Sequence, residues 1–121
     1  MSRRIDEKVA IEALTALAQQ TRLEVFRSLV RVHPDEVAAG ELARSCKVPH
    51  NTMSTHLAVL TRAALVNARR DGRMMFYMAD LDSFRDVIRF LMRDCCHGRA
   101  EICAPLIAEL DCGTKAEKAR A

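Results

Sequence analysis

Three cysteines near the carboxyl end of the chain, Cys95, Cys96 and Cys103, are the residues whose type and spacing best suit chemistry. Cys95 and Cys96 are adjacent, and Cys103 follows them across Gly98. Neighbouring cysteines are seldom needed for packing, whereas thiolates are the ligands that soft metal and metalloid ions prefer. The spacing therefore indicates a site for a thiophilic ion, through which such an ion could act as a switch.

A continuous helix could not bring all three sulfurs to one ion. With a rise of about 1.5 Å per residue, Cys96 and Cys103 would share a helix face but lie about 10 Å apart. Either the chain turns back near Gly98, or Cys103 comes from a second subunit, and the sequence leaves both arrangements open. In each of them, ion binding would pull on the end of the helix that carries Cys95.

Other roles for these thiols remain open. They could be partly buried side chains without a ligand, or they could form disulfides as a redox sensor. A structural zinc ion usually takes four protein ligands, and His97 or Cys112 would then be the fourth. The odd total of five cysteines and a charged N-terminus without an apolar stretch favour a reducing, cytoplasmic location. Cys46 lies elsewhere in the chain, and we expect it to be a small core residue.

Length and composition indicate one small globular domain. The 121 residues are 50% hydrophobic and 29% charged, which is typical of a folded chain. We expect a domain over residues 1–112 and a flexible tail over residues 113–121. No stretch is apolar for the length of a membrane span. Between Glu41 and Arg73 there are six basic and two acidic residues, a local positive charge that suits a polyanion.

The elements that would position these residues are mostly helices. A first helix is predicted over residues 5–18 from the helical spacing of Ile5, Val9, Leu14 and Leu17. Thr21 and Glu24 predict a capping box at the start of a second helix, and Pro34 should end that helix.

The middle of the chain has the pattern of a helix-turn-helix. Glu41 begins a short third helix that ends near Cys46, and Pro49 suits the first turn of a fourth helix that runs to about Ala63. The residues expected to face inward are Met53, Leu57 and Leu60. The outer face is small and polar, and consists of His50, Asn51, Thr52, Ser54, Thr55 and His56. A short helix, a tight turn and a helix with such an outer face are typical of DNA-reading motifs.

A basic hairpin should follow the fourth helix. Asp71-Gly72 separates two strand-like runs, residues 65–70 and 73–78, and this dipeptide is a strong hairpin signal because both turn positions would need positive φ. The basic residues around the turn are Arg69, Arg70 and Arg73. The predicted fold is therefore mainly α with a small β-hairpin, a winged helix-turn-helix.

A last helix should follow the hairpin. Asp80 or Asp82 can cap it, and Gly98 should stop or bend it. Its apolar stripe consists of Leu81, Phe84, Val87, Ile88, Leu91 and Met92.

Over about residues 8–95 the chain resembles the ArsR-type family of winged-helix repressors. The motifs that carry this resemblance, in order, are LAQQTR at 17–22, ELA at 41–43, VPHNTMSTHLAVL at 48–60 and RRDGR at 69–73. Each motif is weak alone, but their order and spacing are specific.

The resemblance implies a homodimer joined through the first and last helices. The fourth helix of each subunit would enter the major groove of one operator half-site, with the wing beside the phosphates. The residues that this places at the dimer interface are Ile5, Val9, Phe84, Ile88 and Leu91. The residues placed at the double-stranded DNA are His50, Asn51, Thr52, Ser54, Thr55, His56, Arg69, Arg70 and Arg73. Short polar side chains let a helix approach base edges, and arginines neutralise phosphate.

The resemblance also bears on the thiols. Many family members bind metal through a Cys-x-Cys at the start of the third helix, but the matching residues 37–40 include no ligand type. Some arsenic-responsive members carry a cysteine trio at the end of the last helix. By that resemblance, trivalent arsenic, with antimony close behind, is the expected inducer that binds Cys95, Cys96 and Cys103 and releases the repressor from DNA. No organic cofactor is expected.

Two alternatives to this function differ in class. The first is a repressor of the same fold whose thiols sense oxidants or sulfur species. The second is a thiol enzyme of arsenic metabolism, which the sequence disfavours because it contains neither a Cys-x-x-Cys pair nor a Cys-x5-Arg loop. We therefore expect no enzymatic activity.

Overall fold

The computed structural model describes residues 5–95 together with residues 101 and 105, and of residues 93–95 it describes the backbone alone. The helices over residues 5–95 are α1 Glu7–Leu17, α2 Gln20–Val32, α3 Ala39–Cys46, α4 His50–Arg62 and α5 Leu81–Cys95. The strands are β1 Val37–Ala38, β2 Val66–Asp71 and β3 Met74–Ala79. This order of elements confirms the predicted winged helix-turn-helix. None of the helices described is long and apolar enough to cross a membrane.

The first helix buries small side chains and leaves large ones outside. It begins after Asp6, whose Oδ1 accepts a hydrogen bond from the Val9 amide at 2.9 Å. The residues in the core are Ala10, Ala13 and Ala16, each 1% exposed. Val9, Ile11 and Leu14 are 37%, 54% and 41% exposed. Ile11 and Leu14, three positions apart, therefore lie on one outward side of α1, which they share with polar residues such as Glu7 and Thr15.

The predicted capping box at the start of α2 is wrong. Gln19 has an extended backbone, and its Oε1 accepts a hydrogen bond from the Arg22 amide at 2.8 Å. Because Gln19 serves as the cap, α2 begins at Gln20 and Thr21 lies inside its first turn. The other end is as predicted, since α2 ends at Val32 before Pro34.

The helix-turn-helix is held by the inward side of α4. Met53, Leu57 and Leu60 are each 0% exposed, which confirms the predicted inward face. They pack in one cluster with Val25 and Leu29 of α2. Burying each such side chain stabilises the fold by about 1.5–3 kcal/mol relative to leaving it exposed, so the orientation of α4 is set by the core.

Both helices of the motif end at a left-handed residue that is not glycine. After α3, Lys47 has a φ of 59°, and the next amide donates to the Ala43 carbonyl at 3.1 Å. After α4, Ala64 has a φ of 64°, and the next amide donates to the Leu60 carbonyl at 3.1 Å. These bonds are those of Schellman motifs, and they fix the direction in which the chain leaves each helix.

The wing is part of a three-stranded antiparallel sheet with the order β1-β3-β2. The short strand β1 was not predicted. Asp71 pairs with Met74, so the loop between β2 and β3 is Gly72 and Arg73, one residue later than predicted. Gly72 has a φ of 65°, whereas the φ of Arg73 is not positive. A positive φ at the first loop position alone is the pattern of a type II′ turn.

The last helix packs partly against the rest of the chain. Asp80 caps its start, since the Asp80 Oδ1 accepts a hydrogen bond from the Ser83 amide at 3.1 Å. Asp80 was one of the two predicted caps. The ring of Phe84 lies 5.1 Å from the ring of Phe26, centroid to centroid. Val87 is buried, and Leu81, Phe84 and Leu91 pack against the core. Part of the apolar stripe of α5 therefore packs within the chain itself.

Candidate nucleic-acid interface

The outer side of α4 presents short polar side chains to solvent. His50, Asn51, Thr52, Ser54 and Thr55 are all exposed, while Met53 between them enters the core. The Oδ1 of Asn51 accepts the Thr52 amide at 2.9 Å, and the hydroxyl of Thr55 donates to the Asn51 carbonyl at 3.2 Å. The structure thus places five of the six predicted α4 residues on one exposed surface.

The sixth, His56, is half-buried. Its Nδ1 lies 3.4 Å from an Nη1 of Arg22. Burial, followed by the positive charge of Arg22, lowers the pKa of His56, so the neutral imidazole is favoured. The Nε of Arg22 also donates to the Ala16 carbonyl at 2.7 Å. Arg22 therefore links the end of α1 to the reading helix α4.

An open cleft of about 230 Å³ lies between α4 and the wing. Its α4 side includes His50 and Ser54, and its wing side includes Arg73, Met75 and Tyr77. The outer side of α4 and the wing therefore border one concave surface, which carries both hydrogen-bonding groups and positive charge.

Arg69 and Arg70 lie on opposite faces of the wing. Successive residues of a strand point to opposite faces, and residues paired across strands share a face. Arg70 pairs with Met75, which lines the cleft, and Arg69 pairs with Phe76. Arg70 therefore shares its face of the wing with Met75 and the buried Tyr77 of the cleft lining. Arg69 lies on the other face, whose Met74 also lines the cleft.

Arg69 forms an ion pair with Glu36. Its Nε donates to both carboxylate oxygens of Glu36, at 2.9 and 3.0 Å, and its Nη2 lies 2.8 Å from one of them. This hydrogen-bonded contact lowers the pKa of Glu36 and raises that of Arg69. The guanidinium also lies 5.0 Å from the centroid of the Phe76 ring. The sequence analysis did not identify Glu36, because it did not predict strand β1, which brings Glu36 to the wing.

The thiol trio is the part of the predicted site that the structure describes least. The structure describes α5 as far as the backbone of Cys95. Cys96, Cys103, His97 and Cys112 lie outside the described residues. Among the residues described, no three His, Cys, Asp or Glu side chains are grouped to hold a metal ion. The ion site remains a prediction.

Cys46 is half-buried against the core, as predicted. Burial, together with the charge and hydrogen bond of Glu24, raises the pKa of its thiol. A thiol held neutral in this way is a weak ligand and a weak nucleophile, so Cys46 is a packing residue.

The predicted dimer residues are divided between surface and core. Val9 is exposed, whereas Ile5, Phe84 and Leu91 pack against the core, and Ile88 is half-buried. Ile11 and Leu14 of α1, which the predicted dimer residues did not include, are also exposed. The homodimer remains a prediction, and α1 offers more apolar surface for it than expected.

Similar proteins of known sequence and structure are transcriptional regulators. The helix-turn-helix domain family matches residues 17–69. The chain is 31% identical over 87 residues to the transcriptional activator HlyU of Vibrio cholerae, which covers 72% of this chain and 78% of that protein.

Two solved structures extend this similarity to the fold. One is reduced HlyU from Vibrio cholerae, with 29% identity and a TM-score of 0.56 over 74% of this chain and 90% of that one. The other is described as a possible transcriptional regulator for arsenical resistance, with 29% identity and a TM-score of 0.59 over 66% of this chain and 80% of that one.

Proposed function

Because the chain belongs to the ArsR-type family of winged helix-turn-helix transcriptional regulators, we propose that it is a repressor that leaves its operator when a thiophilic ion binds at the end of α5. The repressor acts as a cytoplasmic homodimer on double-stranded DNA. Since its relatives are transcriptional regulators, we expect binding rather than catalysis to be its activity.

The observation that carries DNA binding is the exposed polar side of α4 next to the basic side of the wing. His50 and Ser54 border the same cleft as Arg73, and Arg70 lies on the same face of the wing as two residues of the cleft lining. Asn51 uses its amide oxygen to accept the Thr52 amide, so its NH₂ group is the part that can donate to an acceptor on a base edge. We propose that these groups read one half-site and hold the neighbouring phosphates.

An in vitro selection tests this part of the proposal. The full chain is mixed with random-sequence duplexes, bound duplexes are recovered and sequenced, and the affinity for the winning duplex is measured at several salt concentrations. We expect a two-fold symmetric sequence with half-sites one helical turn apart, about 34–36 Å, and an affinity that falls steeply with salt. Recovery of no common sequence would contradict sequence-specific reading.

The homodimer is supported by the exposed apolar side chains of α1. Val9, Ile11 and Leu14 are large side chains that a lone protomer leaves exposed, and burying them against a second copy would be favourable. The symmetry of the selected duplex and sedimentation of the chain without DNA both test this. A monomer at micromolar concentration would contradict it.

The inducer is proposed to be trivalent arsenic bound by the thiolates of Cys95, Cys96 and Cys103, with antimony as the nearest substitute. Two observations support a link from these thiols to DNA. The helix α5 ends at Cys95 and packs through Phe84 on Phe26 of α2, and one relative is described as a possible regulator for arsenical resistance. An ion that favours one position of α5 would shift the dimer between forms with matched and mismatched reading helices.

Arsenite titration of the DNA complex tests the inducer. We expect release of the duplex together with a sulfur-to-arsenic charge-transfer absorbance. Cys95→Ser and Cys96→Ser should keep DNA binding and lose the response to arsenite. Cys46→Ala is the matched control, because this thiol packs against the core and should not affect the response. If Cys95→Ser abolishes DNA binding as well, the cysteine is structural and the inducer assignment is wrong.

A second candidate is a repressor whose same thiols sense oxidants or sulfur species. It is favoured by one observation, that a structurally similar relative was solved in a form described as reduced. In this case peroxide or persulfide would release the duplex, a thiol reductant would restore binding, and arsenite would leave the complex intact. The two candidates therefore predict opposite results when the same protein–duplex complex is treated with arsenite and with peroxide.

A further inference from the structure

The ion pair between Glu36 and Arg69 spans the full width of the wing sheet. Glu36 directly precedes β1, Arg69 belongs to β2, and Phe76 belongs to the strand between them. Ala38 and Arg69 both pair with Phe76, and Glu36 lies two positions before Ala38, so by alternation all these side chains share one face. The Arg69 side chain therefore crosses the Phe76 ring to reach the carboxylate beside the far strand.

The face that carries this ion pair is not basic. The carboxylate of Asp71 lies 3.9 Å from a guanidinium nitrogen of Arg69, so Glu36 and Asp71 together outnumber the single positive charge. The opposite face carries Arg70, and the turn carries Arg73. The wing therefore has one basic side, which carries Arg70 with Met75 and Tyr77, and one side where a phosphate would meet two carboxylates.

We infer that Arg69 is a positioning residue that holds the wing to β1 through Glu36, and that Arg70 and Arg73 make the phosphate contacts of the wing. This inference rests on the proposed DNA-binding function. To contact a phosphate, Arg69 would have to give up a contact to both oxygens of one carboxylate, a geometry that is among the stronger of charged hydrogen bonds. It would also have to bring the phosphate close to like charges. Holding Arg69 against Glu36 and Phe76 instead sets the position of β2, and with it the position of Arg70.

Four variants of the full chain test the inference by affinity for the selected duplex: Glu36→Gln, Arg69→Gln, the double variant of both, and Arg70→Gln as the matched control. If Arg69 positions the wing, Glu36→Gln weakens DNA binding roughly two- to fivefold for each of the two subunits, the range expected for loss of one exposed ion pair. The double variant, which leaves net charge unchanged, should then be no weaker than either single variant and should keep the salt slope of the original protein. Arg70→Gln should lower that slope by about 1.8, because each of the two subunits loses one phosphate contact worth about 0.9.

The opposite role for Arg69 predicts the opposite sign. If Arg69 contacts phosphate, Glu36→Gln removes its competitor and tightens DNA binding, and the double variant loses about 1.8 from the salt slope, as Arg70→Gln does. Either of these results would overturn the inference.

Amide hydrogen exchange without DNA gives a separate readout. The β1–β3 amides should exchange faster in Glu36→Gln and in Arg69→Gln, and at an unchanged rate in Arg70→Gln. Unchanged exchange in all three variants would overturn the positioning role even if DNA binding is intact. A chain that fails to bind any duplex would instead overturn the proposed function, while the exchange comparison would still decide whether the ion pair holds the wing.

Discussion

The helices α1 and α4 have similar lengths, 11 and 13 residues, but they place their large side chains on opposite sides. α4 buries Met53, Leu57 and Leu60 completely and exposes small polar residues. α1 buries alanines and exposes residues such as Ile11 and Leu14. Both helices are amphipathic, so the difference lies in which side of each helix is buried in the core of the chain.

This difference teaches what each helix can bind. A helix that has already buried its large side chains keeps a fixed orientation and offers only polar groups outside, which suits base edges. A helix whose large side chains remain outside can bury them only against another apolar surface. This difference supports the proposal that α4 binds DNA and that α1 binds a second copy of the chain, and the predictions below are designed to reverse or sharpen it.

The largest effect is expected at the inward side of α4. Leu57→Ala removes a fully buried side chain and should lower the free energy of unfolding by about 2–5 kcal/mol, because it leaves a cavity. Ser54→Ala, on the exposed side of the same helix, should change it by less than about 0.5 kcal/mol while weakening DNA binding. Urea unfolding measures the first quantity and fluorescence anisotropy the second. Equal destabilisation by the two variants would refute the division of α4 into two sides.

On α1 the substitution of a large side chain is the exposed one, so it should affect dimerisation and not folding. Ala13→Leu adds volume to a buried position and should cost about 1–3 kcal/mol of unfolding free energy. Ile11→Glu, at a 54% exposed position, should leave the protomer folded but raise the dimer dissociation constant on the order of tenfold or more, because a carboxylate would be buried at the interface. Analytical ultracentrifugation checks this, with Glu12→Gln as a control on the same helix. A dimer that tolerates Ile11→Glu would show that α1 does not join the subunits.

An intermediate, stabilising effect is expected where the reading helix meets the wing. The φ of 64° at Ala64 costs an L residue roughly 1–2 kcal/mol, and glycine adopts it without that cost. After the extra chain entropy that glycine loses on folding, Ala64→Gly should raise the free energy of unfolding by up to about 1 kcal/mol. Ala63→Gly, one residue earlier at a φ of −77°, should lower it by a similar amount. A loss of stability in both variants would be the contrary result.

The smallest effect concerns pH. Burial and Arg22 lower the pKa of His56 in the folded chain, whereas the unfolded chain binds the proton at the ordinary pKa of 6.5. The unfolded state therefore takes up more protons as the pH falls below about 6.5, and folding loses stability in that range. Above it, the effect is absent. His56→Gln should show a flatter dependence of the urea midpoint on pH between about 7.5 and 5, and identical curves for the two proteins would rule out His56 as the cause.

The sequence predicted what depends on local periodicity. The inward side of α4 and the two wing strands follow from spacings of three to four and of two residues, which act within one element. The position of the wing turn was off by one residue, because the pairing of Asp71 with Met74 sets the register and local turn preference does not.

What the sequence could not give depends on contacts between distant segments. The pairing of Glu36 with Arg69 joins residues 33 positions apart through a two-residue strand too short to have a pattern of its own. The helical spacing of Ile5, Val9, Leu14 and Leu17 was recognised, but only the packing of Ala10, Ala13 and Ala16 in the core shows which large residues of α1 remain exposed. The thiol site remains a prediction from the resemblance.

The backbone joint at Ala64 has a consequence for how such a regulator can change its target. It fixes the angle between α4 and β2 through main-chain bonds and the buried side chains of Leu60 and Leu65. None of these groups belongs to the exposed residues of α4. If α4 reads DNA as proposed, exchange of its exposed residues alone can change the preferred operator, while the wing keeps its position relative to α4.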